Sequence, residues 1–162
     1  MDRIVLESLG GYFIAMPEKI LPSWRGYKEL ADKDLGEKFR KTTDWFNILK
    51  YSEEYIFIFG GDITSCELIN IGNVDILVRR IYTGGDDISK LVEGCVSNGV
   101  KERVRFNNKS NYWIIFDSTL CGDSALKENK FLKWPLPLGN MDFITYSFED
   151  EYESFIAHVP NI

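Results

Sequence analysis

The sequence has very few of the residues that usually build catalytic or metal sites. It contains a single histidine, His158, and three cysteines among 162 residues. The cysteines, Cys66, Cys95 and Cys121, are widely spaced and form no CxxC pair, which is typical of reduced thiols that act as small buried hydrophobic residues. A zinc site would have to collect mixed ligands from distant positions. We therefore expect no metal and no cofactor.

The chain also lacks a long hydrophobic run. Its most apolar stretch, Tyr55 to Gly60, is much shorter than the ~18 residues that a membrane-spanning helix needs. The N-terminal segment has no basic region followed by a long apolar one, so it does not resemble a signal peptide. These features predict a cytoplasmic protein without a membrane partner.

Basic residues are in deficit, and this restricts the class of partner. The chain has 19 Lys and Arg against 25 Asp and Glu, for a net charge of −6. That balance argues against direct binding of nucleic acid or of an anionic membrane. A composition that is 44% apolar and 14% aromatic excludes intrinsic disorder. The length predicts one domain that spans residues 1–162.

Most of the chain has apolar patterns typical of strands. Two short runs around Gly10-Gly11 predict an N-terminal hairpin. Between residues 45 and 82, four apolar runs separated by turn residues predict an antiparallel meander. Tyr55–Phe59 lacks polar alternation, so we expect it to be a central strand covered on both faces. Two prolines place the run 131–138 at an edge or at a rim.

One segment has a clear helical period. Apolar residues at positions i, i+3, i+4, i+7 and i+8 form one stripe: Ile88, Leu91, Val92, Cys95 and Val96. They predict a helix at about 86–98, packed on the sheet and capped by Asp86 or Asp87. The polar segment 27–43 is predicted to be irregular or partly helical, and 117–129 to be a polar loop. The predicted fold class is α+β, mostly β, with an antiparallel sheet.

No group of residues forms a recognisable active site in the sequence. The glycine pairs lie at strand ends, and none belongs to a GxGxxG or GxxxxGK[ST] motif. His158 lies in a strand-like run and is most simply a surface histidine or one in a satisfied pocket. We predict a protein that is not an enzyme. The alternatives are a small metal- or carboxylate-dependent hydrolase that uses Asp62, Asp117 and Asp123, or an accessory domain that binds a small molecule or peptide.

The densest cluster of one charge lies near the C-terminus and contains Glu149, Asp150, Glu151 and Glu153. Such a run is usually a solvated turn. It can also steer a basic partner, which speeds association in a salt-dependent way. Together with Asp86 and Asp87, these four residues are the predicted partner-binding site.

Tryptophan is the residue type most often found at binding hot spots, so Trp24 has two interpretations. It can be a binding anchor. Its position between Pro22 and Gly26 is more typical of a buried plug at the end of a sheet, with the indole N–H bonded to a carbonyl. We expect the plug.

The order of several short motifs resembles the immunity protein 21 family. The most specific part is a Gly-Gly turn, a strand, Met-Pro-Glu and then an LPxWxG motif. The segments that carry the resemblance are short and are distributed along nearly the whole chain: Leu9–Gly11, Met16–Glu18, Ile20–Gly26, Ile58–Asp62, Ile76–Arg80, Gly85–Asp87, Ile114–Ser118, Gly122 and Leu136–Gly139.

Members of this family are predicted immunity proteins of bacterial polymorphic toxin systems. The resemblance implies a cytoplasmic protein that binds and neutralises one cognate toxin domain and so protects the producing cell. It brings no mapped binding residues to this chain. A nuclease is usually basic, so an acidic chain fits a basic toxin of that kind.

Overall fold

The computed structural model describes residues 4–30, 33–41, 46–60, 65–82, 88–97 and 102–161. The strands among them are β1 (Val5–Glu7), β2 (Phe13–Pro17), β3 (Asn47–Tyr51), β4 (Glu54–Phe59), β5 (Ser65–Ile71), β6 (Val74–Tyr82), β7 (Glu102–Asn108), β8 (Tyr112–Asp117), β9 (Leu132–Pro135), β10 (Gly139–Glu149) and β11 (Ser154–Asn161). The helices are α1 (Lys33–Arg40), α2 (Ser89–Ser97) and α3 (Gly122–Lys127), with 3-10 helices at Glu18–Ser23 and Tyr27–Glu29.

The fold class is α+β and mostly β, as the sequence predicts. The chain divides into two compact units, each discontinuous in sequence. The first comprises residues 1–7, 62–111 and 135–162, and the second comprises 8–61 and 112–134. Each unit has an antiparallel sheet of its own.

The first unit contains a six-stranded sheet with the order β1-β5-β6-β11-β10-β7. Helix α2 packs on one face of it, against β5 and β10. Ile88, Val92 and Cys95 of the predicted apolar stripe are buried there with Val78 and Ala157 of the central strands. The predicted helix on the sheet is therefore confirmed.

The second unit contains a five-stranded sheet with the order β3-β4-β2-β8-β9. Strand β4 lies inside this sheet and Ile56–Phe59 are buried, which confirms the predicted central strand. Strand β9 lies at the edge of the sheet, as the prolines of the run 131–138 predict. Helix α1 lies in the polar segment predicted to be partly helical, and its Leu35 and Phe39, four residues apart, are buried.

Three local predictions differ from the structure. The N-terminal hairpin is wrong, because β1 pairs with β5 while β2 pairs with β4 and β8. The runs between 45 and 82 form two hairpins, β3–β4 and β5–β6, which belong to different sheets rather than to one meander. The predicted loop 117–129 contains helix α3, which is too short to show an apolar stripe and buries Ala125.

Candidate functional site

The structure brings four of the six predicted partner-binding residues together at the turn between β10 and β11. Glu149 ends β10, and Asp150, Glu151 and Glu153 precede β11. Asp86 and Asp87 lie outside the described residues. The predicted link between the two acidic segments therefore stays a prediction.

Asp150 determines the shape of this turn. Its backbone N–H donates to the Glu153 carbonyl over 2.9 Å. Its Oδ1 accepts the backbone N–H groups of Tyr152 and Glu153, both over 2.7 Å. Aspartate is favoured in turns because its side chain can bind the backbone two or three residues ahead. The Asp150 carboxylate therefore holds the turn in one conformation and adds to its charge.

Tyr82 ties the same turn to the neighbouring strand β6. Ser154 lies opposite Tyr82 in the sheet, and the Tyr82 hydroxyl donates to the Asp150 carbonyl over 2.7 Å. Partial desolvation, the nearby charges of Glu149 and Asp150 and a hydrogen bond with Glu149 raise the pKa of Tyr82. The phenol therefore keeps its proton, which it needs in order to donate.

Exposure decides which of these side chains a partner can reach. Glu149, Asp150 and Glu151 are exposed, whereas Glu153 is only 5% exposed. Two tyrosines are also exposed, Tyr82 at 41% and Tyr152 at 69%. We call the set of Tyr82, Glu149, Asp150, Glu151 and Tyr152 the acidic hairpin surface.

Neither tyrosine of this surface is among the partner-binding residues predicted from the sequence. A signal for Tyr152 exists, because it lies within a run of carboxylates that predicts a solvated turn. No local signal exists for Tyr82, whose bond to Asp150 joins residues 68 positions apart.

Replacement of Tyr82 by Phe tests the link between this residue and the turn. We expect the amides of Tyr152 and Glu153 to exchange with solvent faster in Tyr82→Phe, because the turn loses its tie to β6. The urea midpoint should change little. Tyr152→Phe, at a strongly exposed side chain, is the matched control. Equal exchange in both variants would show that the Tyr82 hydroxyl does not hold the turn.

Asp117, a ligand in the hydrolase alternative, has a structural role. It is 1% exposed. Its Oδ2 accepts the N–H groups of Leu9 (2.6 Å) and Gly11 (3.2 Å) and the Ser8 hydroxyl (3.4 Å). Its Oδ1 accepts the N–H (2.9 Å) and the hydroxyl (2.7 Å) of Thr119. A Cβ on Gly11 would lie 2.5 Å from Oδ1, so a glycine is needed for this close approach.

The other two aspartates of that alternative do not join Asp117 in a described cluster. Asp62 lies outside the described residues, and Asp123 is in the first turn of α3. Within the part of the chain that the structure describes, no group of three or more His, Cys, Asp or Glu residues is arranged to hold a metal ion.

Trp24 is the buried plug that the sequence predicts. Its side chain is fully buried, and its Nε1 donates to the Ser118 carbonyl over 3.3 Å. The same carbonyl accepts the Tyr27 N–H over 3.0 Å, and the Gly122 N–H donates to the Trp24 carbonyl over 2.9 Å. A Cβ on Gly122 would lie only 2.0 Å from the Leu21 carbonyl oxygen. Several motifs that carry the resemblance therefore meet in one packed region of the second unit.

Replacement of Trp24 by Phe tests this arrangement. We expect Trp24→Phe to lower the free energy of unfolding by about 1–2 kcal/mol, since it removes one hydrogen bond and part of a buried ring. The Ser118 carbonyl keeps its bond from Tyr27. Tyr55→Phe, at a half-exposed position of β4 in the same unit, should change the free energy of unfolding by less than about 0.5 kcal/mol. Equal urea unfolding curves for the two variants would contradict the plug.

The cysteines follow the sequence prediction in part. None of the three forms a disulfide bond, and Cys66 and Cys95 are buried. Cys121 is partly exposed rather than buried, and its Sγ lies 2.9 Å from the Ser124 hydroxyl. Hydrogen bonds from the side chain and backbone of Ser124 lower the pKa of the Cys121 thiol.

The described helices are all too short or too polar to cross a bilayer. No family model, curated protein sequence or solved structure shows a detectable match to this chain.

Proposed function

We propose that this chain is an immunity protein, without enzymatic activity, that binds and neutralises a cognate bacterial toxin domain in the cytoplasm. The order of the sequence motifs supports the role. The acidic hairpin surface is the observation that carries the mechanism, because it combines the exposed carboxylates and Tyr152 of one hydrogen-bonded turn with the exposed Tyr82 of the neighbouring strand.

The order of the turn favours tight binding. Asp150 and Tyr82 fix the backbone through four hydrogen bonds of 2.7–2.9 Å. A loop that already has its bound conformation loses little entropy when a partner binds. More of the interaction free energy then appears as affinity.

The charge of the surface selects a basic partner. Among the described residues, no salt bridge involves Glu149 or Glu151. The whole chain has a net charge of −6. Opposite charges steer two proteins together and raise the association rate. A toxin that acts on nucleic acid has a basic cleft because it must bind phosphates. The partner we propose is therefore a basic toxin domain, with a nuclease as the best fit.

The tyrosines supply the apolar part of such an interface. Tyrosine is enriched among the residues that contribute most of the binding energy. An exposed ring beside carboxylates can also stack with an arginine or lysine of the partner through a cation–π contact. Tyr152, which is 69% exposed, is the better placed of the two for this contact.

Co-expression with the toxin-like domain encoded beside the gene tests the role directly. We expect a complex that co-purifies through a tag on this chain, and we expect the cells to resume growth. Cells that express the toxin domain alone control for its activity. Full expression of both chains with neither complex nor rescued growth would contradict the proposal for that pair.

A further inference from the structure

A chain of buried polar side chains crosses the middle of the six-stranded sheet on the face opposite α2. Val78 and Ala157 pack with α2, and side chains alternate along a strand, so Arg79 of β6 and His158 of β11 point to the other face. Arg79 and His158 are fully buried, and Thr145 of β10 is 1% exposed. Three neighbouring strands therefore each contribute one member.

The hydrogen bonds of this chain determine the tautomer of His158. The Arg79 Nε–H donates to His158 Nε2 over 2.9 Å. A guanidinium group can only donate, so Nε2 must be without a proton. The ring proton of neutral His158 is then on Nδ1, which donates to the Thr145 hydroxyl over 2.9 Å.

Protonation of the second ring nitrogen, Nε2, is strongly unfavourable. It would place an N–H on Nε2, directly facing the N–H of Arg79, and a positive charge beside the guanidinium. Burial first, and the charge of Arg79 second, hold the pKa of His158 well below its usual value of 6.5. Burial also lowers the pKa of Arg79 to about 9, so Arg79 stays charged at neutral pH.

Among the described residues of the first unit, two other titratable side chains lie beside this chain on the same face of the sheet. Cys66 of β5 lies opposite Arg79, and Glu102 of β7 lies opposite Thr145. Directly opposite residues of paired strands share one face of a sheet. Neither residue is the acceptor of the ring proton, which goes to Thr145.

We propose that the chain Arg79–His158–Thr145 is an acid-sensitive lock: it joins β6, β11 and β10 while His158 is neutral, and the uptake of one proton by His158 destabilises the fold at these strands. The consequence reaches the acidic hairpin surface, since β10 and β11 form that hairpin and β6 ends at Tyr82. This device is independent of the toxin and goes beyond the proposed function.

The sign of the pH dependence follows from the two states of His158. The unfolded chain binds the proton near pH 6.5, and the folded chain resists it to a lower pH. The stabilisation from neutral His158 is therefore fully present above about pH 6.5. Below that value the ratio of folded to unfolded protein falls by up to about tenfold per pH unit, until the folded-state pKa is reached.

The test uses the natural chain and a variant that cannot titrate. His158→Gln keeps an acceptor for Arg79 and a donor for Thr145. Both proteins are unfolded with urea between pH 7.5 and 5. All other titratable groups are the same in the two proteins, so the difference between them reports on His158. For each pH unit below 6.5, we expect the ratio of folded to unfolded protein to fall about tenfold more for the natural chain than for His158→Gln.

Nitrogen NMR of the ring gives a second readout that needs no variant. The chain has one histidine, so the assignment is unambiguous. We expect a proton on Nδ1 and a bare Nε2, with no titration near pH 6.5 while the protein stays folded. A folded protein whose ring titrates near 6.5, a ring with its proton on Nε2, or parallel stability curves for the two proteins would each overturn the proposal.

Discussion

Replacement of Asp117 by Ala is expected to lower the free energy of unfolding by about 4 kcal/mol, because this carboxylate is buried and accepts five hydrogen bonds. Without it, the N–H groups of Leu9, Gly11 and Thr119 lose their acceptor in a part-buried region. Unpartnered buried donors cost more than the hydrogen bonds themselves contribute.

Urea unfolding with tryptophan fluorescence measures this loss. Asp117→Asn keeps the size and part of the acceptor capacity, so we expect an intermediate value. Asp123→Ala, in the first turn of α3, is the matched control and should cost less than about 1 kcal/mol. A loss for Asp117→Ala no greater than that of the control would contradict a structural role and would revive Asp117 as a ligand of the hydrolase alternative.

Charge reversal in the acidic hairpin surface is expected to slow the binding of the toxin domain. The double variant Glu149→Lys with Glu151→Lys raises the net charge of −6 by four units. We expect the association rate to fall by about 10–100-fold at low salt, because the steering field at the turn changes sign. The difference from the natural chain should shrink as salt rises, since salt screens exposed charges.

The matched control makes the same change of charge in the other unit. Glu37→Lys with Glu128→Lys also adds four units, at exposed residues that form surface ion pairs with Lys41 and Lys130. Exposed pairs contribute little to stability, so the control should fold normally. Equal association rates for the two double variants would show that net charge acts, and not the acidic hairpin surface.

Tyr152→Ala separates the aromatic contribution from the charge. It leaves every carboxylate of the turn in place. We expect it to raise the dissociation rate and to leave the association rate nearly unchanged, because close contacts mainly determine how long a complex lasts.

Features that depend on neighbouring residues could be predicted from the sequence. The stripe from Ile88 to Cys95 is local, and it predicted α2 and its buried face. The unbroken apolar run of β4 predicted a central strand, and prolines predicted the edge position of β9. The setting of Trp24 between Pro22 and Gly26 predicted a plug.

Features that depend on distant residues could not be predicted. A strand pattern does not identify the strand it pairs with. The two runs around Gly10-Gly11 have the pattern of a hairpin, yet they belong to different sheets. The bonds of Asp117 to Ser8, Leu9 and Gly11 span more than a hundred positions. The Arg79–His158 bond spans 79.

The candidate site divides in the same way. The run of carboxylates predicted the acidic turn, and the turn is there. Burial of Glu153 and the bond from Tyr82 to Asp150 depend on packing between strands. The sequence predicts only a cluster of charges, whereas the structure shows a hydrogen-bonded turn with two exposed tyrosines beside it.

Amide hydrogen exchange of the complex tests the central claim most directly, because it reports both whether the toxin domain binds and where. The chain is compared alone and with the co-purified toxin domain. We expect added protection at Glu149–Ser154 and at Tyr82, with little change at the distant end of the β5–β6 hairpin. A stable complex that protects other segments and leaves the β10–β11 turn unchanged would contradict the account.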